Sequence, residues 1–430
     1  MRLTMGILGM ALAAPLAAQQ AGTLAPLEVS LTDAIQRALQ VQPAMVQAEG
    51  TVRNANASLL ANTGSFLPSI TLSGGSSRSG GTQIIGNQIV QAPARTSFST
   101  TLSANLDLFT GFRRFAARRA ANALQDAADA GLITQRYAVI LQTKQAFYNA
   151  LATEELVRVA EAQLARTRQQ LQISAEKLRA GSATRSDSLR SAVDYGNAQI
   201  ALLQAQANLA FAQASLGRQI GVDQAIHAVA DSTLPAPPDT TGMRAAAIGG
   251  APLVQSAEAL ERSARAIVGV NRSTYWPTFN ATLSKGYTGT LAPWTANANY
   301  ADNWSVRFGF SWQLFNGFVR EQNVTSAVVQ RDVAQATAAD ARRSVNASLT
   351  QALAGLQTAA TQLDISRANV AAATEDLRVQ NERYRVGAAT ILDLLTSQAS
   401  LTQAQVSQVQ ARFNYLVSRA TLEALVGHEL

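Results

Sequence analysis

Between Ser97 and Leu108 the chain alternates with period two, the mark of a strand with unlike faces. Phe98, Leu102, Ala104, Leu106 and Leu108 fall on one face, and Ser97, Ser99, Thr101, Ser103, Asn105 and Asp107 on the other. A second run, from Asn303 to Leu314, sets Trp304, Val306, Phe308, Phe310, Trp312 and Leu314 against Ser305, Arg307, Gly309, Ser311 and Gln313. Shorter alternating runs begin at Pro68 and Pro277. Each pairs with the longer run that follows it, which predicts strand pairs over about 66–109 and 276–315. The Gly, Ser and Asn stretches between, 74–94 and 286–302, read as hairpin loops.

The remaining chain has helical periodicity. No proline occurs from Ala94 to Leu234, and from Phe112 to Ala180 only Gly131 interrupts a helix-favouring run, which at ~1.5 Å per residue reaches on the order of 100 Å. Its apolar positions, such as Leu164, Leu171 and Leu178, form narrow stripes diluted by Ala, as in coiled-coil packing. Gly181 and Gly387 stand where a left-handed residue ends a helix. Three residues later, Thr184 and Thr390 each open a Thr-x-x-Asp capping box closed by Asp187 and Asp393. Long helical hairpins are therefore expected over about 112–220 and 317–427.

These elements occur twice in the same order. Pro43 and Pro68 are echoed by Pro252 and Pro277 at one spacing; Leu108-Phe-Thr-Gly-Phe112, Gly181 and Gly221 are echoed by Leu314-Phe-Asn-Gly-Phe318, Gly387 and Gly427 at a spacing three residues smaller. The expected organisation is a first repeat over 19–221, a linker over 222–251 containing Pro235, Pro237 and Pro238, and a second repeat over 252–430. Residues 1–18, with Arg2 ahead of a short apolar run and small residues near Ala18, read as a secretory signal peptide.

Composition narrows the function. Charged residues are 15% of the chain, well below the usual share, so much polar surface is neutral. The net charge of +7 is scattered through helices, which argues against nucleic acid as a partner. There are no cysteines, and His227 and His428 stand apart from carboxylate clusters, so no metal, cofactor or catalytic constellation is expected. Arg113, Arg114, Arg118 and Arg119 read as a solvated or headgroup-facing cluster. Trp276, Trp304 and Trp312, at strand ends, are read as membrane-interface aromatics.

Strands of about ten residues suit a tilted bilayer crossing, but membrane sheets must close and four strands cannot. Two chains would give eight strands and a filled barrel; three give twelve and a lumen. The opening Val29-Ser-Leu-Thr-Asp-Ala-Ile35 followed by Pro43, the duplicated Leu-Phe-x-Gly-Phe landmarks and the paired Gly-x-x-Thr-x-x-Asp hairpins resemble the TolC family of outer-membrane efflux proteins over essentially the whole mature chain. The resemblance implies an α+β membrane protein. It would be a homotrimer whose twelve-stranded β-barrel, four strands per chain, sits in outer-membrane lipid and continues into a periplasmic helical barrel. The implied partners are a periplasmic adaptor protein and an inner-membrane RND, ABC or similar transporter, and the implied role is passive export of drugs, other small molecules or proteins. It further implies that the hairpins form the periplasmic tip, with Gly181, Thr184, Asp187, Leu189, Gly387, Thr390, Asp393 and Leu395 as adaptor contacts and Arg185, Tyr384 and Asp393 at the aperture. Ala389 and Thr396 depart from the Arg and second acid that the family's constriction often carries. The competing reading is a secreted trimeric coiled-coil adhesin or scaffold, which accounts for the helices but not for the strand pairs.

Overall fold

The computed structural model describes residues 27–224, 226–229, 235, 249–295 and 298–429; the expected signal peptide and most of the 222–251 linker lie outside them. The chain runs β1 (Leu27–Val29), α1 (Leu31–Val41), α2 (Pro43–Gly64), β2 (Ser69–Ile85), β3 (Gln88–Thr110), α3 (Arg113–Arg179), α4 (Arg185–Ile220) and β4 (Ile226–Ala228). It continues with α5 (Pro252–Arg272), β5 (Thr278–Gly289), β6 (Ala301–Ser311), α6 (Val319–Arg385) and α7 (Ile391–Val426).

The two halves have equal helices. Both α3 and α6 have 67 residues, roughly 100 Å at ~1.5 Å per residue, and both α4 and α7 have 36. Gly131 does not break α3, because one interior glycine costs only about 1 kcal/mol. Each half also stacks a short helix end to end on the returning arm of its hairpin. Gly221, left-handed at φ 71°, ends α4 against Val41, just ahead of Pro43, the first residue of α2. Gly427, at φ 77°, ends α7 against Pro252, the first residue of α5. Proline needs no amide partner at a helix start and glycine accepts the left-handed stop, so sequence alone fixes both joints.

The four longer strands form one antiparallel sheet in the order β2-β3-β5-β6. Two expectations need correction. Residues 74–94 are not a loop: β2 and β3 pair through them to a two-residue turn at Gly86 and Asn87, both at positive φ. A two-stranded ribbon needs only backbone pairing and a turn of suitable twist, so it leaves no hydrophobic alternation to read. Leu108 is not in phase with its neighbours, because the register shifts between Asp107 and Phe109; Phe109, opposite Phe279, takes the apolar face. Likewise β6 stops at Ser311, so Trp312 and Leu314 lie beyond it.

The described part of the linker is not structureless either. Leu27–Val29 pairs in parallel with Ile226–Ala228, and Val29, Ile226 and Ala228 join Phe147, Leu216 and Phe413 in a buried cluster that ties α7 and the end of α4 to the middle of α3.

Candidate functional site: the two hairpin tips and the aromatic belt

Four helices per chain make a layer whose order is α4-α3-α7-α6 near the hairpin tips and α2-α3-α5-α6 near the sheet. Each tip is a sharp reversal. Gly181 (φ 72°) and Gly387 (φ 78°) end the descending helices. Both predicted capping boxes are present. Thr184 and Thr390 accept from the backbone N–H of Asp187 and Asp393, while each carboxylate accepts from the threonine's own N–H and hydroxyl at 2.8 to 3.0 Å. These bonds, the threonine's backbone N–H first and its hydroxyl next, with Arg383 nearby, hold the Asp393 carboxyl below its ordinary range.

The sequence-predicted tip residues divide by environment. Gly181, Thr184, Arg185, Leu189, Gly387, Thr390 and Asp393 are exposed, and Asp187 and Leu395 are half-buried. Tyr384 differs from the rest: its side chain is buried with Leu377, Ile391, Leu394 and Leu401. Burial raises its phenol pKa. Sequence reasoning missed its partner. Lys177, from the first hairpin, sets its ammonium 3.9 Å from the Tyr384 ring centre and donates to the Tyr384 carbonyl at 2.9 Å. The two positions are 207 residues apart, so no local pattern announces the pairing.

At the other end, the Leu-Phe-x-Gly-Phe motif performs the strand-to-helix turn. Gly111-Phe112 and Gly317-Phe318 hold consecutive left-handed backbones, unusual for phenylalanine. An edge-to-face ring pair spans each turn, Phe109 with Phe112 at 5.3 Å and Phe315 with Phe318 at 5.5 Å, which explains why both aromatics recur. Phe112 meets Trp276 at 6.2 Å, and Phe109 continues through Phe279 to Phe310, so a belt of rings crosses the sheet's apolar face. Trp312 donates its indole N–H to the Tyr275 carbonyl beside that belt. Trp304 lies toward the far end of the sheet, opposite Lys285.

The sheet's second face is polar and carries Asp107 and Arg307 among its neutral residues: Thr282 donates to Asn105 at 2.8 Å, and Ser284 and Ser305 share a hydrogen bond of 2.8 Å. No described helix is long and apolar enough to cross a membrane, and no cluster that could hold a metal occurs among the described residues.

Comparison with known proteins agrees with this architecture. The model of the outer membrane efflux protein family matches residues 34–222 and again 244–428. Protein CyaE of Bordetella pertussis is 27% identical over 392 residues, covering 89% of this chain and 80% of that protein. The pyoverdine export outer membrane protein OpmQ of Pseudomonas aeruginosa is 28% identical over 416 residues, covering 92% and 83%. The crystal structure of the Campylobacter jejuni CmeC outer membrane channel superposes with a TM-score of 0.80 over 92% of this chain and 85% of that one, at 18% identity. The chain therefore belongs to the outer membrane efflux protein family, channels rather than enzymes, which lie in the outer membrane and extend into the periplasm.

Proposed function

We propose that three copies of this chain close head to tail into one tunnel, a passive conduit for cargo delivered by an inner-membrane pump through a periplasmic adaptor. The observation that carries this reading is that the chain is unfinished along the same two sides at every level. In the sheet, β2 and β6 are the edge strands, each with an unpaired row of backbone donors and acceptors. In the helical layer, α2 and α4 are outermost on the β2 side and α6 on the β6 side.

The outermost helices also expose apolar stripes with a seven-residue repeat. Leu189, Val193, Ile200 and Leu203 run along α4, and Ile365 and Val379 along α6 with Val386 at its C-cap, all exposed in the single chain. A surface on one side that fits a different surface on the other makes a head-to-tail contact, which gives a ring when the rotation closes. Three chains supply twelve strands and leave a lumen. The Ser, Thr and Asn face then lines water and the Phe and Leu face meets lipid. From Trp276 to the Trp304 level is nine residues of strand, roughly 30 Å, or about 23 Å across the membrane at the tilt usual in such barrels. That supports reading Trp276 and Trp304 as the two interface anchors, with Trp312 beside the first.

In this reading the exposed tip residues, from Gly181 to Leu189 and from Gly387 to Leu395, meet the adaptor. Arg185 and Asp393 are available to the aperture, whereas Tyr384 acts from within the second hairpin's packing. The cargo is a small molecule or a protein. The relative named for pyoverdine export is consistent with the first, and deleting the gene and finding what the cell then retains distinguishes them.

The chain has no cysteine, so closure can be tested directly. Ile200→Cys on α4 and Ala372→Cys on α6 stand at about the same height above the tips, counting ~1.5 Å per residue. Oxidising the double variant in outer membranes should give covalent dimers and trimers and nothing larger. Single variants should stay monomeric on denaturing gels. A ladder beyond three, or no cross-link at Ile200 and the positions a turn either side, would overturn the closed trimer.

A further inference from the structure

The wall of the helical layer near the sheet has two faces, which can be told apart. One groove, of about 530 Å³, is lined by three successive helices, including Gln47 and Thr51 of α2, Leu124 and Gln135 of α3, and Ser256 of α5. Where the helices on either side converge over the middle one, the layer is concave; this is the lumen side. A second groove, also about 530 Å³, is lined by α3 and α5 alone, with Arg119, Asn122 and Asp126 facing Arg262, Arg265 and Gly269. At about 100° per residue, positions 119, 122 and 126 point roughly opposite to 124, 131 and 135, so this groove opens on the convex, outward side.

We propose that this outward groove is a binding site for an anionic two-chain phospholipid of the periplasmic leaflet, with its phosphate held between Arg119 and Arg265. The inference rests on the outer-membrane placement of the family. The two arginines sit at one level, because Ser263 donates to the Ala120 carbonyl and Gly269 closes against Ala116 one turn nearer the sheet. Both guanidiniums line the groove, and an arginine without a local anion favours an anionic ligand there.

Local carboxylates do not supply that anion in full. Asp126 pairs with Arg262 at 3.1 Å and Glu261 with Arg265 at 2.5 Å, whereas Arg119 has no carboxylate within ion-pair distance among the described residues. Arg272, nearer the sheet on the same α5 stripe, also has none.

Height favours a lipid headgroup over a solute. Arg119 follows Phe112 by seven residues, about 10 Å along the helix, which sets its backbone about 3 Å beyond a headgroup zone about 7 Å deep. The Arg119 side chain, tilted toward the N-terminus of α3 and so toward the sheet, reaches up to that zone, whereas Arg265 joins it only by leaving Glu261, one turn farther from the sheet. Acyl chains above the phosphate would run over Trp276 and Phe279 on the apolar face. Both walls of the groove belong to helices inside the layer, not to its edges, so trimer closure leaves the groove open.

The test uses the assembled protein in nanodiscs of phosphatidylglycerol and phosphatidylcholine in equal parts, with retained lipid read by native mass spectrometry after transfer to detergent. Wild type should retain phosphatidylglycerol over phosphatidylcholine by about thirtyfold, given about 1 kcal/mol for each of the two arginines near a charged surface. Arg119→Gln with Arg265→Gln should remove the preference, and Arg119→Gln alone, at an exposed residue, should reduce it with the fold intact. Arg185→Gln with Arg190→Gln at the tip should leave it unchanged. Equal retention of the two lipids by wild type, or an undiminished preference in the double variant, would overturn the proposal. So would displacement of the lipid by millimolar inorganic phosphate, which would mark a free-anion site.

Discussion

The two strand pairs use nearly the same length of chain in different ways. From the proline that opens each pair to the Leu-Phe-x-Gly-Phe turn, the first copy is only three residues longer than the second. Yet the first forms strands of 17 and 23 residues around a two-residue turn, and the second strands of 12 and 11 residues around a loop of which 290–295 and 298–300 are described. That loop folds back: Trp294 packs edge-on against Phe98 at 6.2 Å, and the Tyr300 hydroxyl donates to the Leu291 carbonyl. The hairpin helices allow no such freedom and match in length, 67 and 36 residues in each half. The difference teaches where the fold is constrained. Elements that share a wall with their counterparts keep register, and segments beyond the sheet drift.

The same contrast holds within a single motif, which gives the largest expected effect. Gly111 and Gly317 occupy equivalent positions with nearly equal backbones, φ 60° and 67°. A Cβ on Gly111 would collide with the Ser273 carbonyl and lie 2.7 Å from the Trp276 Cβ, whereas one on Gly317 would meet nothing within 4 Å. Gly317→Ala should cost only the left-handed penalty of about 1 kcal/mol, and Gly111→Ala about 3 kcal/mol or more once the overlap is added. Oligomer recovered from outer membranes, followed through thermal dissociation, should fall steeply for Gly111→Ala and little for Gly317→Ala. Equal losses would mean that the turn alone, and not the packing of α5 beneath it, makes the motif.

A smaller asymmetry separates the tips. Tyr384 corresponds in the repeat to Leu178, which is only half-buried. Tyr384→Ala removes a buried ring and should destabilise the second tip by about 3 kcal/mol, against about 1 kcal/mol for Leu178→Ala. Hydrogen exchange over 377–394 and 171–188 would report each opening separately. Lys177→Met tests the link between the hairpins: it should speed exchange at the end of α6 although the mutated residue lies on α3. No change there would leave the contact between Lys177 and Tyr384 without energetic weight.

Much of this was legible because local pattern and tertiary demand coincide. Residues 303–311 alternate because in the proposed barrel one face meets lipid and the other water, and the capping boxes lie within four residues. Other features have no local signal. The described side chains of the ribbon over 74–94 are exposed, so nothing selects an alternation. The Leu27–Val29 strand has three residues, and its partner lies 199 positions away. The bulge at Leu108 shows only in the pairing with β5. Among the site residues, glycines and caps could be assigned from type and spacing. The burial of Tyr384, the approach of Lys177 and the outward arginine groove each need two distant segments in place.

The finest distinction between the copies is electrostatic. At the repeat position held by Arg383 in the second half, the first half has Lys177, whose ammonium is turned to the Tyr384 ring and carbonyl. Arg383 instead donates to the Ala388 carbonyl within its own tip and helps to keep the Asp393 carboxyl ionised. A carboxyl whose folded pKa is depressed contributes stability in full above its unfolded value, near 4, and loses it as the pH falls through the folded value. Acidifying from about pH 6 to below 4 should therefore loosen the cap at Thr390, read as faster amide exchange at Asp393 after correction for the intrinsic rate. Asp393→Asn should remove most of that pH dependence, since the amide keeps an acceptor for the Thr390 N–H but carries no charge. Arg383→Gln should shift the onset to higher pH by less than the threonine bonds provide, because the backbone and hydroxyl donors of Thr390 act more strongly on the carboxyl than the guanidinium. An onset unmoved by Arg383→Gln would show that the second tip's cap stands on Thr390 alone, and that at this level the two copies are equivalent.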